Sequence, residues 1–493
     1  MVLDGATLTL DALERIAAGE PVELSPASRE RIAASRNVVE RMASGDEPVY
    51  AVNTGVGLLA DVRIKPEQIA LMQRNLIRSH SCGVGEPLKR QQVRAMMAAR
   101  VNLFALGLSG VRPLIAETLC QLLNRAVTPL VPSRGSVGAS GDLAPLSHMA
   151  AVLIGEGEAE FDGPILPGAE ALRRAGIAPV VLVAKEAVSL INGTQAMVSV
   201  GGLAIAQAQR LARWADLLCA MTVDALKGTP EAFDPRIHDA RPQPGQRESA
   251  ARILAALEGS EIRESHRDCP RVQDAYSLRC APQVHGAIAT ALDRATRIFD
   301  TELNSATDNP LVFGNEILSG GNFHGQPIAL EMDYLAIALA ALAGISERRI
   351  DRVLNPALNE DLPPFLAADP GLESGYMMAQ ITAAALVAEL RVLATPATPG
   401  SITTDGNKED FVSMGMTAAL KLEDSVEHTA RVLAIEALSA ERALELRAPL
   451  RSSPVIEAAR STIRRAAETG AGDRTLTPEI ERLAAHLRHH NPA

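Results

Sequence analysis

Residues 135–145 read GSVGASGDLAP and continue into the apolar run LAPLSHMAAVLIG, residues 143–155. Four of the smallest residues, Gly138-Ala139-Ser140-Gly141, stand together in front of Asp142. Glycine loses the most conformational entropy on ordering, so glycines at 135, 138 and 141 need a backbone reason. A phosphate loop does not supply one: the stretch does not fit GxGxxG, and no Gly-Lys-Ser/Thr follows. A nucleophile elbow needs GxSxG, but the residue two after Ser140 is Asp142. Two readings stay open. One is a tight turn in which Asp142 caps the helix that follows. The other is chemistry on the backbone itself. If Gly141 N attacks the Ala139 carbonyl, a five-membered ring closes; loss of water from the ring and from the Ser140 hydroxyl leaves an exocyclic methylidene, an electrophile. Gly141 offers an unhindered amide, Ser140 a β-hydroxyl to eliminate, and Ala139 a small flank. The free N–H groups and positive end of the next helix would sharpen that electrophile.

The chain has 493 residues, enough for two or three domain-sized units or one large multilayered subunit. Apolar residues make up 47% and aromatics only 3%, so alanine and leucine carry the burial, which favours packed helices over sheets. A net charge of −11 argues against nucleic acid or an anionic membrane as partner. Cys82, Cys120, Cys219, Cys269 and Cys280 are scattered, odd in number and without a CxxC. That is the pattern of a reduced cytoplasmic protein, not of a disulfide framework or a zinc site. The opening MVLDGATLTL has no basic n-region or long apolar h-region, so no signal peptide is expected. The longest uncharged run, Ala187 to Gln209, is broken at Asn192-Gly193-Thr194-Gln195. It reads as a buried helix with a polar entrance, not as a membrane span.

The expected fold is mainly α. Residues 1–200 form a mixed, loop-rich N-terminal domain with short helices, Gly-rich loops and brief strand-like stretches such as Pro179–Val183. Residues 201–493 form a helical-bundle domain with C-terminal helices. Apolar residues at i, i+3, i+4 spacing predict helices over 198–227, 283–305, 328–355, 375–394 and 411–446, several of them long enough for a central bundle. Pro- and Gly-rich breaks at 228–245 and 395–407 read as connections able to carry function.

Ala139-Ser140-Gly141 inside GSVGASGDLAPLSHMA resembles the prosthetic-group motif of the aromatic amino acid ammonia-lyase and 2,3-aminomutase family. The resemblance runs from YAVNTGVG at 50–57 to EDFVSMG at 409–415 and is nearest to histidine ammonia-lyases. It implies a fumarase/aspartase-like bundle and a 4-methylideneimidazole-5-one (MIO) group formed autocatalytically from Ala139-Ser140-Gly141. It also implies a small amino acid substrate, no metal, and a cytoplasmic homotetramer whose sites are shared by several subunits.

By the same resemblance Tyr50 is the catalytic base, and Asn192 of LINGTQAM acts at the prosthetic group and substrate. Gln273, Tyr276 and Arg279 of QDAYSLRCAPQ recur at i, i+3 and i+6 on one side of a helix or turn. Arg279 is the clamp for the substrate carboxylate, where a planar fork suits bidentate binding, and Tyr276 assists near the electrophile. Phe323 of GGNFHGQP matches a phenylalanine packed near the ring; His80 of RSHSCGVG and Glu409 of NKEDFVSMG face the substrate. Taken alone, these residues also suit a packed tyrosine, a helix cap, a solvated face and a core phenylalanine. A tyrosinate is a strong enough base if positive neighbours or helix N-termini bring its pKa well below ~10. Glutamate and histidine together suit an imidazole, which donates and accepts.

The chain departs from the family at Val56, where phenylalanine is usual, and at Lys408, where histidine ammonia-lyases have glutamine. A Lys408–Glu409 pair would neutralise the carboxylate. The expected reaction is loss of ammonia from an aromatic L-amino acid, histidine to trans-urocanate first. Tyrosine or phenylalanine ammonia-lyase and an aromatic 2,3-aminomutase are the alternatives within this chemistry. An inactive helical scaffold is the alternative of another class, and the intact loop with Tyr50 and Arg279 argues against it.

Overall fold

The computed structural model describes residues 1–45, 47–267, 271–467 and 472–492; Cys269 lies outside them. Two compact units emerge, one made of Met1–Leu203, Ala295–Met332 and Ala397–Leu420, the other of Ala204–Arg294, Asp333–Pro396 and Lys421–Ala493. The chain passes from one to the other five times, four of them inside the long helices Gln195–Ala225, Ala281–Leu303, Gln326–Leu354 and Gly415–Glu445 and once at Pro396-Ala397. These four and Met377–Leu393 are the helices the periodicity predicts, with ends displaced by about one turn at most.

The regular elements of the second unit are all helices among its described residues. In Gly415–Glu445 the buried positions Leu422, Val426, Ala430, Leu433, Ala437, Ala440 and Leu444 fall at steps of three and four, and from Val432 to Leu444 every residue is buried, so the helix is enclosed on all sides there. Charge is buried here too. Arg349 and Glu436 are both fully buried and paired, and the Thr222 and Ser346 hydroxyls donate to the same carboxylate. His285 Nδ1 lies 2.8 Å from Asp216 Oδ1 beside them, and its Nε2 accepts from Arg349. Gln326–Leu354 is long and apolar enough to cross a membrane by length and composition alone. Its buried Leu335, Leu339 and Leu342 and its paired Arg349 make it a core helix.

The first unit is mixed, with only short strands among its described residues. A two-residue parallel pair joins Val2–Leu3 to Glu23–Leu24, and Val84–Pro87 pairs antiparallel with Pro132–Arg134. Thr128–Pro129, Glu158–Glu160 and Ile165–Pro167 make a three-stranded sheet, and Leu311–Phe313 with Glu316–Leu318 a hairpin. Pro179–Val183 is not a strand: the Val180 N–H goes to the Leu153 carbonyl, the Val181 carbonyl accepts from Arg112, and Pro179 has no N–H for a ladder.

Three helices of this unit, Ile69–His80, Leu143–Leu153 and Glu186–Ile191, pack on one another and frame the region of interest. The run from Ala187 is not one helix. It ends at Ile191 and restarts at Gln195, with Gly193 at φ 135° between. Two buried cations hold the break. Arg100 donates to the carbonyls of Ser189 and Asn192, and Lys185 donates to Ser109 O and Ser189 Oγ with Asp308 alongside.

Candidate active site

The small residues at 138–141 have a steric cause. Gly141 sits at φ 75°, and a β-carbon on it would stand 2.1 Å from the Gly193 carbonyl oxygen. Gly138, at φ 68°, leaves equally little room against Ser413 Oγ. The loop is pressed against the helix break: Asp142 N–H donates to Gly193 O at 2.8 Å, and Gly193 N–H to Ser140 O at 3.2 Å. Asp142 does occupy the N-cap position of Leu143–Leu153, but its side chain does not cap that helix. Its carboxylate accepts instead from Met197 N at 2.7 Å and Ser136 Oγ at 2.8 Å, tying the loop to the start of Gln195–Ala225. Full burial pushes this carboxyl up to about 6.

A cavity of about 280 Å³ opens over this loop, at the small end of the roughly 300–1,000 Å³ usual for ligand pockets. Among its lining residues are Tyr50, His80, Ser140, Asn192, Asp405 and Glu409. Two larger hollows, of about 440 and 460 Å³, contain none of the expected site residues. Five of those expected residues therefore converge from parts of the chain as distant as 50 and 409.

Each enters with a defined bonding state. Ser140 Oγ donates to Glu409 Oε1 at 2.8 Å, and Thr404 Oγ1 donates to the other carboxylate oxygen at 2.7 Å. Lys408 is exposed and makes no ion pair with Glu409 among the described residues, so the neutralising pair does not form. His80 closes the Ile69–His80 helix with Nδ1 at 2.9 Å from the Leu76 carbonyl. A carbonyl only accepts, so Nδ1 carries the proton and Nε2 is an acceptor. Burial holds the imidazole below its usual pKa, hence neutral at pH 7. Asn192 Oδ1 is buried without a hydrogen-bond partner, an orphan acceptor at the edge of the cavity.

Tyr50 lies on a loop rooted by Val52, which is buried in a cluster with Val38, Val39, Ala184 and Val312. Its hydroxyl oxygen accepts from Gly57 N–H at 3.1 Å. Its pKa runs against expectation. Burial is the main cause of a rise, the Gly57 hydrogen bond opposes it, and the Asp405 and Glu409 carboxylates add smaller contributions upward. Among the described residues, the charges that bear on this phenol are the carboxylates of Asp405 and Glu409.

Gln273, Tyr276 and Arg279 are not in this lining; they belong to the second unit. Tyr276–Arg279 is one helical turn with Gln273 exposed ahead of it, so only part of the expected face is helical. Arg279 stacks its guanidinium 4.5 Å from the centre of the Tyr276 ring and donates to Asp274 O. Tyr276 is 71% exposed. Phe323 is half-buried in the first unit and is also absent from the lining. Asp405 is the lining residue that sequence reasoning missed. Its signals were its place in the 395–407 break and the Asp-Gly turn chemistry in TTDGNKED, neither of which singles out the carboxylate.

The family model for aromatic amino acid lyases matches residues 8–465. A histidine ammonia-lyase of Koribacter versatilis (strain Ellin345) is 53% identical, the match covering 99% of this chain and 97% of the relative. The solved tyrosine aminomutase of Streptomyces globisporus superposes with a TM-score of 0.94 at 40% identity, covering 99% of this chain and 96% of the other. Histidine ammonia-lyase of Trypanosoma cruzi superposes at 0.92 and 41% identity, covering 99% and 93%.

Proposed function

The chain belongs to the aromatic amino acid lyase family, and on that premise we propose that it is a histidine ammonia-lyase, a carbon–nitrogen lyase converting L-histidine to trans-urocanate and ammonia. The observation that carries the reading is the convergence of Ser140, Tyr50, Asn192, His80 and Glu409 on one cavity.

Ala139-Ser140-Gly141 fits an MIO group. Its glycine sits where a side chain cannot, and Ser140 reaches the cavity; the ring carries no N–H, so the orphan Asn192 Oδ1 beside it is left to accept from the substrate's amine. When formed, that group supplies an electrophilic carbon to the substrate's amine or ring. The chain's residues do the rest. Tyr50, its oxygen steadied by Gly57 N–H, takes the proton as the Cβ–H bond breaks. The electron pair becomes the Cα=Cβ bond as the Cα–N bond breaks and ammonia leaves. Glu409 Oε1, bonded by Ser140 Oγ in the unprocessed chain, becomes free to accept the one N–H of a neutral imidazole once that hydroxyl is gone, with His80 alongside in the lining.

Arg279 binds the substrate carboxylate through its fork, with Gln273 and Tyr276 beside it. These three reach the cavity from a second copy of the chain, in a cytoplasmic homotetramer. The exposed Tyr334, Ile337, Met378 and Ile381 on two helices of the second unit support that assembly. Phe323 packs near the prosthetic group in the same assembly.

Intact-protein mass tests the loop. It should fall below the translated sequence by the mass of two water molecules, and Ser140→Ala should retain the mass otherwise lost at that side chain and abolish activity. Competition among equal histidine, tyrosine and phenylalanine tests the substrate. A phenyl ring leaves His80 and Glu409 unpaired at roughly 1–3 kcal/mol each, so histidine leads and phenylalanine is poorest. Faster turnover of phenylalanine overturns the assignment; a β-amino acid product marks an aminomutase instead.

A further inference from the structure

We propose that Asp405 is a positioning residue that latches the Tyr50 loop over the cavity, an inference that rests on Tyr50 being the base. The loop folds back at the short 3₁₀ turn Gly57–Leu59. Two successive N–H groups at the start of that turn have different partners. Gly57 N–H donates to the Tyr50 oxygen at 3.1 Å, and Leu58 N–H donates to both carboxylate oxygens of Asp405, at 3.2 and 3.4 Å. The backbone of one residue, Gly57, thus links the phenol to a carboxylate that lies 347 positions beyond Leu58.

The fit of the two loops depends on missing side chains on both sides. A β-carbon at Gly57 would stand 2.2 Å from Asp405 Oδ2, and one at Gly406 would stand 2.8 Å from Leu58 Cδ2. Asp405, Gly406 and Asn407 hold φ of 45°, 57° and 71°, three left-handed residues in succession that turn the carboxylate toward the flap. Little else pins the flap's tip. Leu58 and Leu59 are 54% and 61% exposed, so the latch sits at the rim, where water competes for it and it can open and close. Shut, it fixes the Gly57 N–H and with it the Tyr50 oxygen. Open, it releases both.

The charged or titratable groups facing Tyr50 across the cavity are His80 from the Ile69–His80 helix and Asp405 and Glu409 from the facing loop; Lys408 beside them is exposed. Asp405 therefore has two separable effects on Tyr50, a hydrogen bond that places it and a negative charge that disfavours its ionisation.

Hydrogen exchange of the peptide spanning 56–60, read with the kinetics of the processed enzyme, separates them. Asp405→Ala removes the acceptor; exchange should quicken about tenfold or more, and kcat should fall about tenfold or more with KM changed far less. Asp405→Asn keeps an oxygen for Leu58 N–H; protection should persist while the rising limb of kcat/KM moves to lower pH. Asp405 is exposed, so both variants should fold, and unchanged melting temperatures verify that. Wild-type exchange in Asp405→Ala overturns the latch, and quickened exchange with undiminished kcat overturns its positioning role. If Tyr50→Phe keeps full turnover while Asp405→Ala still exchanges quickly, the functional reading fails and the latch stands.

Discussion

Tyr50 is the residue on which the chemistry turns, and its environment sets a direction for pH dependence. A base works only after losing its proton, and burial with Asp405 and Glu409 raises the pH at which Tyr50 does so. The rising limb of kcat/KM should therefore extend through the neutral range and not level off before about pH 10. His80, held below its usual pKa, is already neutral there and adds no second limb. A pH–rate profile checks this, and Tyr50→Phe should abolish the rise together with nearly all turnover. A plateau beginning near pH 7 would mean that a cation reaches the phenol in the working enzyme. Gly141 is the second decisive residue. Gly141→Ala places a methyl 2.1 Å from Gly193 O at a left-handed φ, so the loop must move and ring closure should fail. The expected readout is an intact mass without dehydration.

At the scale of elements, the first unit makes its site by interrupting a helix. Ending Glu186–Ile191 and restarting at Gln195 frees Gly193 to receive Gly141 and leaves Asn192 Oδ1 unpaired at the cavity. The second unit does the opposite, running uninterrupted helices around buried charge. Arg349 and Glu436 lie on Gln326–Leu354 and Gly415–Glu445, and removing one leaves the other charged and buried. Glu436→Gln should cost about 3–5 kcal/mol, a fall in Tm of roughly 6–20 °C by calorimetry. A change within a degree would show that the Thr222 and Ser346 hydroxyls and His285 carry Arg349 without the carboxylate.

For the whole molecule the question is assembly. If Arg279 serves the cavity of another copy, two inactive variants complement each other. Tyr50→Phe and Arg279→Lys, each with collapsed kcat/KM, should regain activity when unfolded together and refolded, because hybrid tetramers contain some sites with both native residues. Random mixing predicts roughly a quarter of wild-type activity. Light scattering should give a mass near four times 52.1 kDa. No recovery from a well-formed hybrid would place Tyr50 and Arg279 in a site drawn from one copy.

What the sequence by itself determined is whatever repeats or collides locally. The long helices were legible because burying one face imposes a 3.6-residue period on alanine and leucine. The 135–142 loop was legible because small residues in series have few other uses. Pro179–Val183 misled for the same local reason, since an apolar run looks like a strand whether or not a partner exists. Tertiary structure decided the rest. Ser140 meets Glu409 across 269 positions and Leu58 meets Asp405 across 347, and no local pattern encodes those meetings. The state of Tyr50 belongs here too: the sequence could say only that positive neighbours would ease its ionisation, and its spatial neighbours are two carboxylates. Electrostatic and hydrogen-bond energies depend on distances and burial through space, and those exist only once the chain has folded.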